Sequence, residues 1–156
     1  MRFNHPTAEI HKNCKIGKET KIWNEAQIRE DVEIGFNCII GKGVYIDKGV
    51  KIGNNVKIQN YVSVYSGVEI EDNVFIGPNA TFVNDLYPRS ISPDWKITPT
   101  KLKYGCSIGA NATIICGVTI GIFSMVGAGA VATKDVSPYS LVVGNPARFL
   151  KFININ

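Results

Sequence analysis

Histidine is almost absent from this chain of 156 residues: only His5 and His11 occur, both near its start. That scarcity excludes zinc chemistry built on three imidazoles, as a carbonic anhydrase would need. It also leaves most of the chain without the side chain used most often as a general base. No apolar run approaches the length of a membrane span, and Met1-Arg2-Phe3-Asn4 begins nothing like a signal peptide. A cytoplasmic protein with no membrane partner is therefore expected. The four cysteines stand at no metal-ligand spacing. Cys14, Cys38 and Cys106 share the positions of small apolar residues and Cys116 does not, so unpaired thiols and no metal are expected.

Helical periodicity is missing as well. Isoleucine or valine returns every six residues, at Ile10, Ile16, Ile22, Ile28, Ile34, Ile40, Ile46, Ile52, Ile58, Val64, Ile70 and Ile76, and Phe82 closes the run. The beat resumes at Ile108, Ile114, Ile120, Val126 and Ala132. Two residues before each beat the side chain is small or β-branched, as at Cys14, Thr20, Ala26, Val32 and Cys106. A period of six fits neither a helix nor simple strand alternation. It fits short strands stacked in a parallel coil, with one large and one small inward residue per hexad. The expected fold is therefore an all-β parallel β-helix in one domain over 1–156. Eighteen beats, three to a coil, predict six coils about 4.8 Å apart. Glycine follows many beats, where a tight bend or a close backbone approach would require it. An eighteen-residue register puts Gly17, Gly35, Gly53, Glu71, Gly109 and Gly127 in one column. Another column holds His11, Arg29, Asp47, Tyr65 and Val83.

The beat breaks between Phe82 and Ile108, and removing about twenty residues restores it. The spacing predicts coils over about 10–83 and 104–136, an excursion over about 84–103, and a C-terminal segment 137–156. The excursion carries three of the seven prolines, Pro88, Pro93 and Pro99, with Asp94 and Trp95 between them. Long loops in compact folds are commonly functional. Charge is uneven too: up to Asp85 ten basic face eleven acidic residues, and beyond it seven face two. The basic residues are scattered and no nucleic-acid fold is visible, so a small polyanion is expected rather than nucleic acid. Phe149 to Asn156 is either an exposed tail or a short capping element.

The hexads resemble the hexapeptide-repeat acyltransferases, whose coil is a left-handed parallel β-helix; the hand is implied by that resemblance alone. Phe82-Val83-Asn84-Asp85-Leu86-Tyr87-Pro88-Arg89 is similar to a segment of the members that N-acetylate nucleotide-linked 3-amino sugars. Asn60 through Val68, Val126 through Val136 and the ending Val143-Gly144-Asn145-Pro146-Ala147-Arg148 agree with it. The resemblance implies an acetyl-CoA-dependent N-acetyltransferase serving surface polysaccharide biosynthesis. It also implies a homotrimer with active sites between subunits. The carrier, dTDP or UDP, stays open. So do a 4-amino sugar or other small amine as substrate, and a non-catalytic scaffold. In one departure, Ser66 stands where relatives are expected to carry an acid.

Acetyl transfer needs a neutral amine, a positioned thioester and stabilisation of an oxyanion. A sugar amine near the pKa of an α-amino group, about 8, is partly neutral at pH 7 and needs orientation more than deprotonation. Asn84 is expected to accept a hydrogen bond from it, with Asp85 as the alternative base if burial raises its pKa. Substrate binding is assigned to Asn60, Ser63, Tyr65, Ser66, Tyr87 and Arg89. Coenzyme binding is assigned to Gly109, Gly127, Ala128, Ala130, Thr133, Lys134, Arg148 and Lys151, the last cations meeting phosphates. Glycine-corner N–H groups after Ile108 or Ile120 are the expected oxyanion donors.

Overall fold

The computed structural model describes residues 3–91 and 95–154, so Pro93 and Asp94 of the excursion lie outside the described residues, as do Met1, Arg2 and the last two residues of the C-terminal segment. Twenty-two short strands, most of them two residues long, form three sheets; no helix occurs among the described residues. The sheets have nine, seven and six strands and are the three faces of one solenoid. Successive coils pair in parallel eighteen residues apart, as in Ile22↔Ile40, Ile28↔Ile46 and Ile34↔Ile52. The hexad explains this arrangement. The beat residue and the small residue two places earlier both point inward, so Ile40, Val44, Ile46, Val56, Ile58 and Val62 are fully buried. No single coil can enclose such residues; stacking makes one continuous core.

The corners turn where the sequence left no single residue type. Three residues after nearly every beat the backbone enters the left-handed region, at Asn37, Asn55, Asn73, Asn79 and Asn111, and at Gly43, Gly49, Gly117 and Gly129. Asparagine and glycine tolerate that conformation best. The glycines directly after the beat have a different reason. A Cβ on Gly35 would lie 2.5 Å from the Gly53 carbonyl oxygen, and one on Gly109 would lie 2.4 Å from the Ala128 nitrogen. They are needed for close stacking of the next coil, not for the bend.

Leu102 corrects the count of coils. Thr100–Leu102 is a strand, with Leu102 paired to Ile70 below and Ile120 above. Thr100 and Leu102 are both buried, one small and one large. The beat therefore resumes one hexad before Ile108, and the excursion spans only what lies between Phe82 and Thr100. The solenoid also begins earlier, at Phe3–Asn4, and continues to Ser140–Val143, which makes about eight turns rather than six. One column changes with it. Lys103 and Gly121 continue the line of Gly17, Gly35, Gly53 and Glu71, whereas Gly109 and Gly127 stand on the line of Gly41 and Gly77. Arg148–Phe152 folds back antiparallel onto Ser140–Val143. It is a capping strand, not a free tail.

Candidate active site

The excursion leaves the solenoid at the corner between the seven-stranded and six-stranded faces. It departs after Thr81–Phe82 and returns into Thr100–Leu102. Residues two places after the beat line this corner one above another: Lys48, Ser66, Asn84, Cys116 and Lys134. The returning arm closes against the same corner. Thr98 N–H donates to the Asn84 carbonyl at 3.4 Å, and Thr100 N–H donates to the Gly67 carbonyl at 2.9 Å. Gly67 must be glycine here, since it has φ of 93° and a Cβ would fall 2.3 Å from Ile97 Cγ2.

Asn84 is half-buried, and its Nδ2 donates to the Ser66 carbonyl at 3.4 Å. No protein donor among the described residues reaches its Oδ1. Asp85 is occupied differently: its Oδ1 accepts the Tyr87 N–H at 2.9 Å and shapes the first turn of the excursion. Ser66 is buried, with its hydroxyl donating to the Lys48 carbonyl. Tyr65 directly follows the strand Ser63–Val64 and is exposed, its ring 5.8 Å from that of Tyr45. Ser63 opens that strand and pairs with Tyr45 on one side and Thr81 on the other.

The remaining expected substrate residues form no hydrogen bond with Asn84. Asn60 belongs to the corner between the nine-stranded and seven-stranded faces, where its Oδ1 accepts the Lys42 N–H at 3.0 Å. Tyr87 and Arg89 are exposed on the excursion, and the Arg89 guanidinium bonds back to the Pro88 carbonyl. His11 stands four coils below Val83 in its column, about 19 Å away by the coil spacing.

Of the eight expected coenzyme residues, three share a place. Thr133, Lys134 and Arg148, with Ala132, Asp135 and Phe149, line a cleft of about 250 Å³ at the top of the Asn84 corner. The Asp135 carboxylate is engaged by the Thr119 N–H at 2.8 Å, and neither cation forms an ion pair among the described residues. This donor set suits a polyanion. Ala130 is fully buried in the core, so its methyl cannot touch a ligand. Gly127 and Ala128 stand on the other corner, and the Gly127 N–H already donates to the Val142 carbonyl. Lys151 pairs with Leu141 outside the cleft. Of the expected oxyanion donors, the Gly109 and Gly121 N–H groups each donate at 2.8 Å to the coil above.

Sequence reasoning missed the polar chain beneath this corner. Arg29 bonds Glu30 and reaches the Tyr45 hydroxyl at 3.4 Å, and that hydroxyl donates to Asp47 Oδ1 at 3.1 Å. Burial pushes the Asp47 carboxyl up. Hydrogen bonds from the Lys48 N–H, from Ser66 and from Tyr45 outweigh it and hold the group below the usual carboxylate range. The eighteen-residue register places Tyr45 under Ser63 and Asp47 under Tyr65. That signal was visible, but not which way the side chains reach. All four cysteines are free, and burial drives the Cys106 thiol up to about 12. Among the described residues no cluster of three metal-ligating side chains occurs.

The chain belongs to the bacterial transferase hexapeptide (six repeats) family, which it matches over residues 6–48 and 49–84. Residues 31–66 and 104–134 also match the hexapeptide repeat of succinyl-transferase. Among particular proteins, it is 50% identical over 54 residues to dTDP-3-amino-3,6-dideoxy-alpha-D-galactopyranose 3-N-acetyltransferase of Aneurinibacillus thermoaerophilus. That match covers 35% of this chain and only 28% of the relative's length. A hexapeptide-repeat acetyltransferase of Vibrio cholerae, solved with acetyl coenzyme A, has a TM-score of 0.61 at 27% identity, covering 74% of this chain and 71% of the other. PerB from Caulobacter crescentus, solved with CoA and GDP-perosamine, has a TM-score of 0.61 at 22% identity. It covers 97% of this chain and 57% of the other, and shares the fold.

Proposed function

We propose that this chain is an acetyl-CoA-dependent N-acetyltransferase for the 3-amino group of a nucleotide-linked amino sugar, working in the cytoplasm as a homotrimer. One observation carries the reading: Asn84 is held by its Nδ2 at the mouth of the excursion while its Oδ1 stays free of protein donors. A free amide oxygen accepts an N–H of the sugar amine and directs the nitrogen lone pair outward from that bond. Such orientation accounts for a large share of the rate in a reaction between two bound partners. Thr133, Lys134 and Arg148 would hold the coenzyme at the cleft two coils above, with the cations on its phosphates. Bound there, acetyl-CoA supplies the activated acetyl thioester. The amine nitrogen bonds the acetyl carbon as the carbon–sulfur bond breaks, and the amine proton leaves to the departing sulfur. The 3-amino position and the nucleotide carrier are supported by the 50% identity to the Aneurinibacillus enzyme over 54 residues.

The test is thiol release from acetyl-CoA with a panel of UDP- and dTDP-linked 3-amino and 4-amino sugars. Turnover on a 3-amino sugar alone is expected. Turnover restricted to 4-amino sugars would overturn the position, and silence with no coenzyme binding by calorimetry would leave a β-helical scaffold.

A further inference from the structure

Corner N–H groups beneath an asparagine or aspartate follow a pattern that Ser66 breaks. At three corners the N–H of the residue two places after a beat is accepted by the Asn or Asp side chain one coil above, whereas the Lys48 and Tyr104 N–H groups donate to Asp47 and Glu71. Asn54 Oδ1 takes the Phe36 N–H at 3.0 Å, Asn60 Oδ1 takes the Lys42 N–H at 3.0 Å, and Asp72 Oδ1 takes the Asn54 N–H at 2.7 Å. The residue one coil above Ser66 is Asn84, the same side chain in the same place as Asn54 and Asn60. By the pattern its Oδ1 belongs on the Ser66 N–H. Instead the Ser66 N–H donates to Asp47 Oδ2 from the coil below at 3.2 Å, and Asn84 turns its Nδ2 onto the Ser66 carbonyl.

We infer that Asp47 is a positioning residue for Asn84: by capping the Ser66 N–H from below, it releases the Asn84 amide from the structural bond its homologous corners make and leaves Oδ1 free for substrate. The inference rests on the acetyltransferase reading for its consequence, but the amide orientation is a property of the protein alone. Asp47 is suited to the task. Its Oδ1 accepts from the Lys48 N–H at 2.8 Å and from the Tyr45 hydroxyl at 3.1 Å, which aims Oδ2 upward. Both oxygens face donors, so an ionised carboxylate fits, whereas an amide would set an N–H₂ against an N–H. The depressed carboxyl agrees with this arrangement. Ser66 is held from a second side by its hydroxyl on the Lys48 carbonyl, so its peptide groups are fixed while Asn84 is oriented against them.

Without Asp47 the Ser66 N–H loses its acceptor, and the nearest replacement is Asn84 Oδ1. The experiment is a crystal structure of Asp47→Ala together with kinetics in the wild-type and Asn84→Ala backgrounds. Expected are an Asn84 amide turned with Oδ1 on the Ser66 N–H, and kcat lowered at least about tenfold with KM for acetyl-CoA unchanged. No further loss is expected when Asp47→Ala is added to Asn84→Ala, since both act on one group. An Asn84 Nδ2 still on the Ser66 carbonyl in Asp47→Ala overturns the inference, as does an equal loss in both backgrounds. Should Asp47→Ala not fold, Asp47→Leu, which fills the site and likewise removes the acceptor from the Ser66 N–H, is read the same way. If the wild-type protein turns over no sugar of the panel, the functional reading falls, and the amide orientation alone decides for or against Asp47.

Discussion

Asn84 is unlike Asn54 and Asn60 in what its amide is left free to do. Asn54 and Asn60 spend their Oδ1 on the coil below, whereas Asn84 keeps its own. Its neighbour Asp85 spends an oxygen on the Tyr87 N–H, a bond within the excursion. The two side chains are adjacent in sequence and differ in role. Asn84→Ala is expected to lower kcat by about a hundredfold or more with thermal stability kept, on the scale of losing one oriented hydrogen bond at a reacting centre. Asp85→Ala is expected to cost less, because other bonds of the excursion persist. Steady-state rates on the accepted sugar decide it, and two variants with wild-type rates would defeat the assignment. Asn84 was legible in the sequence because it sits at a break in a strict repeat. Asp47 was legible only as a member of a column. Spacing gives the coil of a residue but not whether its side chain reaches up or down, and here that direction sets the function of the residue above.

The strand of the hexad was readable because two inward residues repeat, and nearly every beat is buried. Leu102 was missed for a physical reason. The hexad returns with Thr100 in the small position and Leu102 in the large one, directly behind Pro99, so a proline-bearing loop and a true coil strand share a boundary. The corner glycines were found with two causes left open, and the structure selects the close approach of the next coil, since spacing does not separate a bend from a stacked neighbour. The same limit applies to the coenzyme residues. Val126 to Asp135 reads as a run of small residues, yet Ala130 faces the core while Thr133 and Lys134 face a cleft completed by Arg148 from the capping strand. Only that element, folding back antiparallel, brings Arg148 beside Lys134. Lys134→Ala and Arg148→Ala are each expected to raise KM for acetyl-CoA roughly tenfold with little change in kcat, as loss of a charged contact to phosphate would do. An unchanged KM in both variants would move the coenzyme elsewhere.

The three faces of the solenoid differ in charge, and the difference bears on assembly. The six-stranded face carries Lys15, Glu33, Lys51, Glu69 and Lys101 in one outward column, alternating in sign from coil to coil. Opposite charges in register satisfy one another in water, and covering them would require their desolvation. The seven-stranded face, above Glu9, carries Gln27, Tyr45, Ser63, Thr81, Thr113 and Val131 in the equivalent column, with no formal charge. A second copy covers that column at less cost, and its edge is the corner that holds Asn84. The proposed homotrimer, with sites between subunits, is expected to use the seven-stranded face. Thr113→Glu puts a carboxylate in that column, next to Thr81 and Val131. Thr119→Glu puts the same group on the six-stranded face beside Lys101, where it continues the alternation. Sedimentation velocity is expected to show three chains per particle for the unaltered protein and for Thr119→Glu, and single chains for Thr113→Glu. A three-chain Thr113→Glu would assign the contact to another face, and an unaltered protein that sediments as single chains would remove the trimer itself.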